Sequence, residues 1–340
     1  MDQQGYVMSG LSLLLVLPAI MLFMVFLDMT SNGVDGNSQV LESGRVLNTV
    51  KDLEVDIEVA GKEVFQSEAE NVVKSGIPLT NSRQQVKKDM QTKMNQITSH
   101  YQDNDKLDVE CNITSVGNSE DPFAVEINSS IKVGKDEITH QEFITQEISI
   151  IDPQYPIPNP LPFIKCKNYG GAQVISSKIA FGSSLTNYLE SRGVKNAGAY
   201  ENSTTAYIIK KCPYDPYKMH GEHEYNTIKN CISNGYFHES SDGSCFLCRL
   251  EGKGVCPHYG FETYITPASS INTTYNNSNL STNFTFNQAP SSIDHVIFND
   301  TIPGTGTYQG NKLIYFSDAS NCLIIFLDNA HRQKYGFPIV

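Results

Sequence analysis

A chain of 340 residues, 39% hydrophobic and carrying 17 Tyr and 16 Phe, has apolar material for two domains of ordinary size, which excludes an intrinsically disordered protein. Its net charge of −12 and pI near 5.1 exclude a nucleic-acid binder, because phosphates must be neutralised by a basic surface. The first element is Tyr6 to Leu27, YVMSGLSLLLVLPAIMLFMVFL, a run without a charge. As a helix it would measure about 33 Å at about 1.5 Å per residue, enough for a hydrocarbon core of about 30 Å. Residues 6–27 are therefore read as a single transmembrane helix with the lipid bilayer as partner, behind a short leader, residues 1–5. A cleaved secretory signal fits less well: MDQQG has no Lys or Arg, and Leu27-Asp28-Met29-Thr30 offers no small-x-small site.

A short polar leader ending in Gly5, followed at once by an apolar helix containing Pro18, resembles the N-terminus of type IV pilin-like proteins. The GYVMSGLSLLLVLPAI stretch is most similar to archaeal pilin-like surface proteins of unassigned function. The resemblance implies a candidate processing site between Gly5 and Tyr6. It also implies that the helix is kept as an anchor and then as a packing element in a filament, with copies of itself or other pilin-like subunits as partners.

Thr30 to Asn37, TSNGVDGN, reads as a hinge. Beyond it Val46, Val50, Leu53, Ile57, Ala60 and Val64 recur on one helical face, until Gly76 and Pro78. A second helix begins near Ser82, with Gln85 three residues on as in a capping box, and carries the stripe Val86, Met90, Met94, Ile97, Tyr101. Alternating runs over 106–115, 123–133 and 138–151, with a turn at Gly134-Lys135-Asp136, predict an antiparallel meander. Residues 38–151 are thus expected to form a membrane-proximal α+β domain of two helices and an antiparallel sheet.

Five prolines crowd Asp152 to Phe163, DPQYPIPNPLPF, and predict a stiff, extended linker over 152–163. Residues 164–340 are expected to form an irregular, mostly-β, cysteine-rich distal domain. Short helices are predicted over 184–192 and 227–233, and strands over 205–210, 295–298, 312–316 and 322–327. The last of these, CLIIFL, is continuously apolar and reads as a central strand covered on both faces.

Asn-x-Ser/Thr sequons at Asn112, Asn128, Asn202, Asn272, Asn276, Asn279, Asn283 and Asn299 mark candidate glycosylation sites. With eight cysteines, seven after the prolines, they favour a cell-membrane protein with its N-terminus inside and its C-terminal domains outside. Cys245, Cys248, Cys256 and His258, in C-x2-C-x7-C-x-H spacing flanked by Cys231 and His238, could complete a tetrahedral Zn²⁺ site. Disulfide pairing among the cysteines is the preferred alternative, because the standard second-knuckle spacing is missing. Either arrangement is a structural staple, so no cofactor beyond a structural zinc is expected. Arg249 stands where a C-x-x-C-H haem site needs histidine. His223-Glu224 and His238-Glu239 lack the second histidine of H-E-x-x-H, and no nucleophile elbow or phosphate loop occurs, so no catalytic residues are assigned. His220-Gly-Glu-His223-Glu reads as a polar loop. The function expected is a structural, assembly or adhesive role at the cell surface and not an enzyme. The alternative is an extracellular module that binds a glycan or partner surface protein through Tyr259, Phe261 and Tyr264.

Overall fold

The computed structural model describes residues 4–194, 197–214, 220, 224–268, 273–276, 283–286, 291–299, 312–317, 322–327 and 329–337. Of these, residues 4–17, 19, 26–39, 224–226, 273–276, 283–286, 312–317, 322–324, 326 and 329 are described by their backbone.

The chain opens with one helix, α1, Gln4–Ser75, of 72 residues. At about 1.5 Å per residue it is about 108 Å long. The segment expected to be a hinge, 30–37, is helical, and the separate helix expected over 6–27 is the first part of α1. Among the described residues no helix is long and apolar enough to cross a membrane. The single-pass anchor, and with it the inside-to-outside orientation read from the sequons and cysteines, are corrected accordingly. The hinge reading failed because Gly33 and Gly36 each cost a helix only about 1 kcal/mol relative to alanine. A proline would remove a backbone hydrogen bond, but none lies between Pro18 and Pro78, so helix propagates through from both sides. Gly5 and Tyr6 fall in the first turns of α1, and their side chains lie outside the described set.

The stripe from Val46 to Val64 alternates spacings of four and three, and every member is buried. It packs on α2, Ser82–Asp105, where Val86, Met90 and Met94 are buried at every fourth position. The cap of α2 is Asn81, whose Oδ1 accepts the Gln84 N–H at 3.1 Å. Ser82 lies inside the first turn, and its N–H and hydroxyl both donate to Glu251 Oε1, at 3.0 and 2.8 Å. One acidic side chain from the second half of the chain thereby fixes the start of α2.

Strands β1 (Asp108–Asn118), β2 (Ala124–Lys135) and β3 (Ile138–Ser149) form an antiparallel sheet in the order β1-β2-β3. The residue at the tight β2–β3 turn, Asp136, has φ 54°. Val109, Cys111, Ile113, Val125, Ile127, Ile131 and Val133 alternate onto the face that meets α1 and α2. On the far side Phe143 of β3 is 75% exposed.

The proline-rich stretch is not a free-standing spacer. Ile157 to Phe163 are buried, Pro158 bridges Ile208, and Pro162 sits in the first turn of α3, Leu161–Cys166, where a missing N–H costs nothing. The core containing α1, α2 and the sheet continues into Phe237, Phe246, Leu247 and Phe261. Phe65 meets Phe246 edge-on at 5.8 Å, and Phe123 stacks on Phe261 at 5.3 Å. One hydrophobic core therefore joins the two halves of the chain.

The second half mixes short helices with small sheets, in place of the mostly-β domain expected. A five-stranded sheet has the order β12-β9-β6-β5-β4, from Ser292–Ile293, Tyr264–Thr266, Thr204–Ala206, Lys178–Ala180 and Gln173–Ile175. β7 (His238–Ser240) pairs with β8 (Gly260–Glu262), β10 (Thr273–Asn276) with β11 (Asn283–Phe286), and β13 (Lys312–Ser317) with β14 (Cys322–Leu327). The helices are α4 (Ser184–Ser191), α5 (Glu224–Asn234), α6 (Phe246–Leu250), α7 (Asp294–Ile297) and α8 (Asn329–Lys334). Two readings change here. Residues 295–298, expected as a strand, lie in and just after α7, since so short an apolar run has no period to tell strand from turn. The CLIIFL strand, expected at a sheet centre, pairs with β13 and meets Ser291 through a single bridge at Ile325.

Candidate metal centres

Three clusters of metal-ligand side chains lie in the second half, and within each the ligand atoms lie within 4.8 Å of one another. The first is the set marked in the sequence. Cys245 is extended, with φ −69° and ψ 165°, immediately before α6, and Cys248 follows one turn later, so the two thiols project from one knuckle. The chain returns through Gly252, at φ 74°, and brings Cys256 and His258 back to them. Cys248 Sγ is 3.5 Å from His258 Nδ1, and Cys245 Sγ is 3.8 Å from the same nitrogen. In a tetrahedron with Zn–S of about 2.3 Å and Zn–N of about 2.0–2.1 Å, the sulfur-to-nitrogen edge is about 3.6 Å. The Cys245 N–H donates to Cys256 Sγ at 3.4 Å.

The thiols of this cluster do not titrate alike. Hydrogen bonds from Cys245 and then Cys248 hold Cys256 well below the ordinary thiol range, whereas Cys248 and then Cys256 push the Cys245 thiol far up. One thiolate is readily formed, and a second would be repelled by it. A dication bound at the centre of the trio would remove that repulsion.

The second cluster is Cys212, His220, Cys231 and His238, all buried. Cys212 is tied to the start of β7 by its N–H, which donates to Phe237 O at 2.8 Å. Cys231 comes from α5, and His238 opens β7. His220 Nε2 is 3.6 Å from both sulfurs, again about a tetrahedral edge. The two sulfurs are 3.3 Å apart, far beyond the disulfide length of about 2.05 Å. Cys231 lowers the Cys212 thiol to about 3, against the effect of burial and with help from His220. The seven cysteines with described side chains are free thiols; among the described residues Cys111 and Cys166 belong to no cluster, and burial pushes both up to about 12. Cys322 is described by its backbone in β14.

The third cluster, Glu262, His295 and His331, contains no sulfur and is buried throughout. Glu262 ends β8, His295 lies in α7 and His331 in α8. Burial alone would raise the Glu262 carboxyl, but hydrogen bonds from His295 and His331 overcome it and hold it well below the carboxylate range.

Two side chains join the clusters. Arg249, one residue past Cys248, is completely buried; its Nε donates to Ser244 O at 3.2 Å, its Nη1 to Asp294 Oδ2 at 2.7 Å, and its Nη2 to Phe261 O. Asp294 is the neighbour of His295. Tyr335 meets His220 and His238 with its ring perpendicular to theirs, at 5.4 and 5.3 Å, and donates its hydroxyl to Glu262 Oε1 at 2.8 Å.

Of the eight sequons, Asn112 is exposed on β1, and Asn202 is exposed with φ 56°. Asn128 on β2 is half-buried and donates its amide to Ser115 Oγ and Glu126 Oε1 at 3.0 and 2.9 Å. Asn299 is half-buried. Asn276 and Asn283 face each other at the end of the β10–β11 pair, and Asn272 and Asn279 lie outside the described residues. Tyr259 is 43% exposed and donates to Glu239, whereas Phe261 and Tyr264 are core residues. His223 also lies outside the described residues.

No protein-family model, no curated protein and no solved structure matches this chain.

Proposed function

We propose that this chain is a structural protein with an assembly or adhesive role, in which a long helix carries a head stapled by zinc. The observation that carries the reading is the division of labour along α1. From Val46 to Val72 one face of the helix is buried in the head, whereas Ile20, Met21, Leu22, Phe23, Met24 and Val25 are each more than half exposed. Six consecutive residues pass fully around a helix, so this stretch is apolar on every side, and among the described residues nothing covers it. Like helices from further copies of the chain would cover it, in keeping with the resemblance of the N-terminus to pilin-like proteins. Light scattering of the purified full chain tests this: higher-order oligomers are expected, and Leu22→Asp with Val25→Asp should reduce them to monomers. A full chain that is monomeric at micromolar concentration overturns the assembly reading.

The head's staple is Zn²⁺ held by Cys245, Cys248, Cys256 and His258, with a second ion on Cys212, His220, Cys231 and His238. Four protein ligands close each shell and leave no position for water, which is the structural form of zinc and not the catalytic one. Support comes from the sulfur-to-nitrogen distances, which lie between 3.5 and 3.8 Å. Cys248→Ser should lose one zinc equivalent from the full chain by elemental analysis, and retention of full zinc content would refute the assignment.

A further inference from the structure

We propose that Glu262, His295 and His331 form a third metal site, for a divalent first-row transition cation, whose sulfur-free shell keeps at least one position for water or a small ligand. Three atoms converge on one point: His295 Nε2 is 2.9 Å from Glu262 Oε2, His331 Nε2 is 3.4 Å from the same oxygen, and the two nitrogens are 3.2 Å apart. A ligand bond of about 2.1 Å places a cation equidistant from all three and about 1 Å out of their plane. Two imidazoles with one carboxylate is a donor set used by Zn²⁺ when it retains a water and by Fe²⁺ with open positions.

The side chains around the three ligands hold them in place. Tyr335 donates to the other Glu262 oxygen at 2.8 Å, so the carboxylate is held with Oε2 turned to the histidines. Asp294 Oδ1 accepts the His295 N–H at 2.8 Å and anchors the backbone that carries that ligand. Lys334 Nζ, 3.5 Å from Glu262 Oε2, is the cation already facing the site, and it also donates to Ser240 Oγ at 3.0 Å. Metal binding would therefore require Lys334 to give up its share of the carboxylate and stay on Ser240 and on Asp242, whose Oδ2 lies 3.4 Å from Nζ. Without a metal, the same three groups can share protons through a buried hydrogen-bond network, so the two states differ in a measurable composition.

The site's consequence lies in the chain it ties down. His331 sits on α8, so a cation here clamps the C-terminal helix onto β8 and α7. The three sites differ in ligand chemistry, and Co²⁺ separates them. Thiolate sites give sulfur-to-metal charge-transfer bands, and a site of nitrogen and oxygen ligands gives only weak d–d bands.

The experiment titrates the metal-stripped, reduced full chain with Co²⁺ and reads absorbance at each equivalent, then repeats it on Glu262→Gln and His331→Gln. The expected result is that charge-transfer bands saturate before total binding does. The variants should lose the one equivalent that binds without charge transfer, and hydrogen exchange of residues 329–337 in the wild-type chain should slow when that equivalent binds. Charge-transfer bands of normal intensity in the variants show that their thiolate sites have folded. Should either variant fail that check, the wild-type titration decides alone. Binding that stops when charge transfer saturates overturns the proposal, as does unchanged stoichiometry in both folded variants. Failure of the thiolate bands themselves would count against the zinc staples and not against this site.

Discussion

Replacing Asp294 by alanine tests whether the interior between the clusters is as closed as its geometry implies. Arg249 and Asp294 have side-chain exposures of 0% and 1% and meet at 2.7 Å. Removing the carboxylate strands a guanidinium away from water, a change that costs about 3–5 kcal/mol. It also takes the acceptor from the N–H groups of Thr263 and His295, which reach Oδ1 at 3.2 and 2.8 Å. Each orphaned donor adds about 1–3 kcal/mol unless water enters the space left by the side chain. The expected loss is therefore at least about 3 kcal/mol, a large part of the roughly 5–15 kcal/mol that holds a typical domain. The chain has no Trp, so urea unfolding is followed by far-ultraviolet circular dichroism on the reduced, metal-loaded protein. Arg249→Met combined with Asp294→Leu removes both charges at similar volume and should recover most of the loss attributable to the ion pair. A cost below about 1 kcal/mol for Asp294→Ala would mean that water reaches the pair, and the sealed interior assigned to α6 and α7 would be refuted.

Two further outcomes follow from the packing. A Cβ on Gly260 would lie 2.4 Å from the Ser244 carbonyl carbon and 2.7 Å from the Cys245 nitrogen, all backbone, so Gly260→Ala must push β8 away from the Cys245 knuckle. It should cost about 2–4 kcal/mol in urea unfolding and weaken Zn²⁺ retention against a chelator, and a neutral result would exclude so close an approach. Glu68 of α1 is raised to about 7, first by burial and then by Asp89 of α2. A carboxyl whose folded value lies above its unfolded value favours the fold when protonated, so its contribution is complete below about pH 4.5 and is lost as pH rises through about 7. Urea midpoints measured from pH 5 to pH 8 should fall across that window in the wild type and fall less in Glu68→Gln, and identical slopes would refute it.

The helical stripes were legible because each obeys a local rule: Val46 to Val64 and Val86 to Met94 repeat at helical spacing whatever they touch. The hinge at 30–37 was misread because glycine content marks weak helix and not its end, and the strength of the flanking helix decides. Burial of Ile157 to Phe163 was invisible because proline fixes φ without saying what lies over the ring. The metal-ligand clusters show the same limit. Cys245, Cys248, Cys256 and His258 lie within 14 residues, and the C-x2-C knuckle alone draws attention to them. In the second cluster His220 lies 8 residues from Cys212 and 11 from Cys231, with no knuckle, and two of its members appeared only as flanking residues. The third cluster spans 33 residues from Glu262 to His295 and a further 36 to His331, each on a different element. No spacing rule reaches across such distances; only packing of β8, α7 and α8 makes these side chains neighbours.

The geometry also orders the three proposed centres. Arg249 follows the Cys248 knuckle directly and grips Asp294, so a metal that fixes α6 fixes the position from which His295 is presented. Tyr335 packs on the imidazoles of the second centre while its hydroxyl holds the Glu262 carboxylate, so that centre orients the third from the other side. The reverse dependence is weaker, because neither Cys/His set draws a ligand from α7 or α8. In such a network the four-ligand centres would fill while the chain folds, and the Glu262 centre would assemble last, on a frame whose rigidity the first two supply. Any position that centre left open for a small ligand would then be a property of the folded head and not of any one segment.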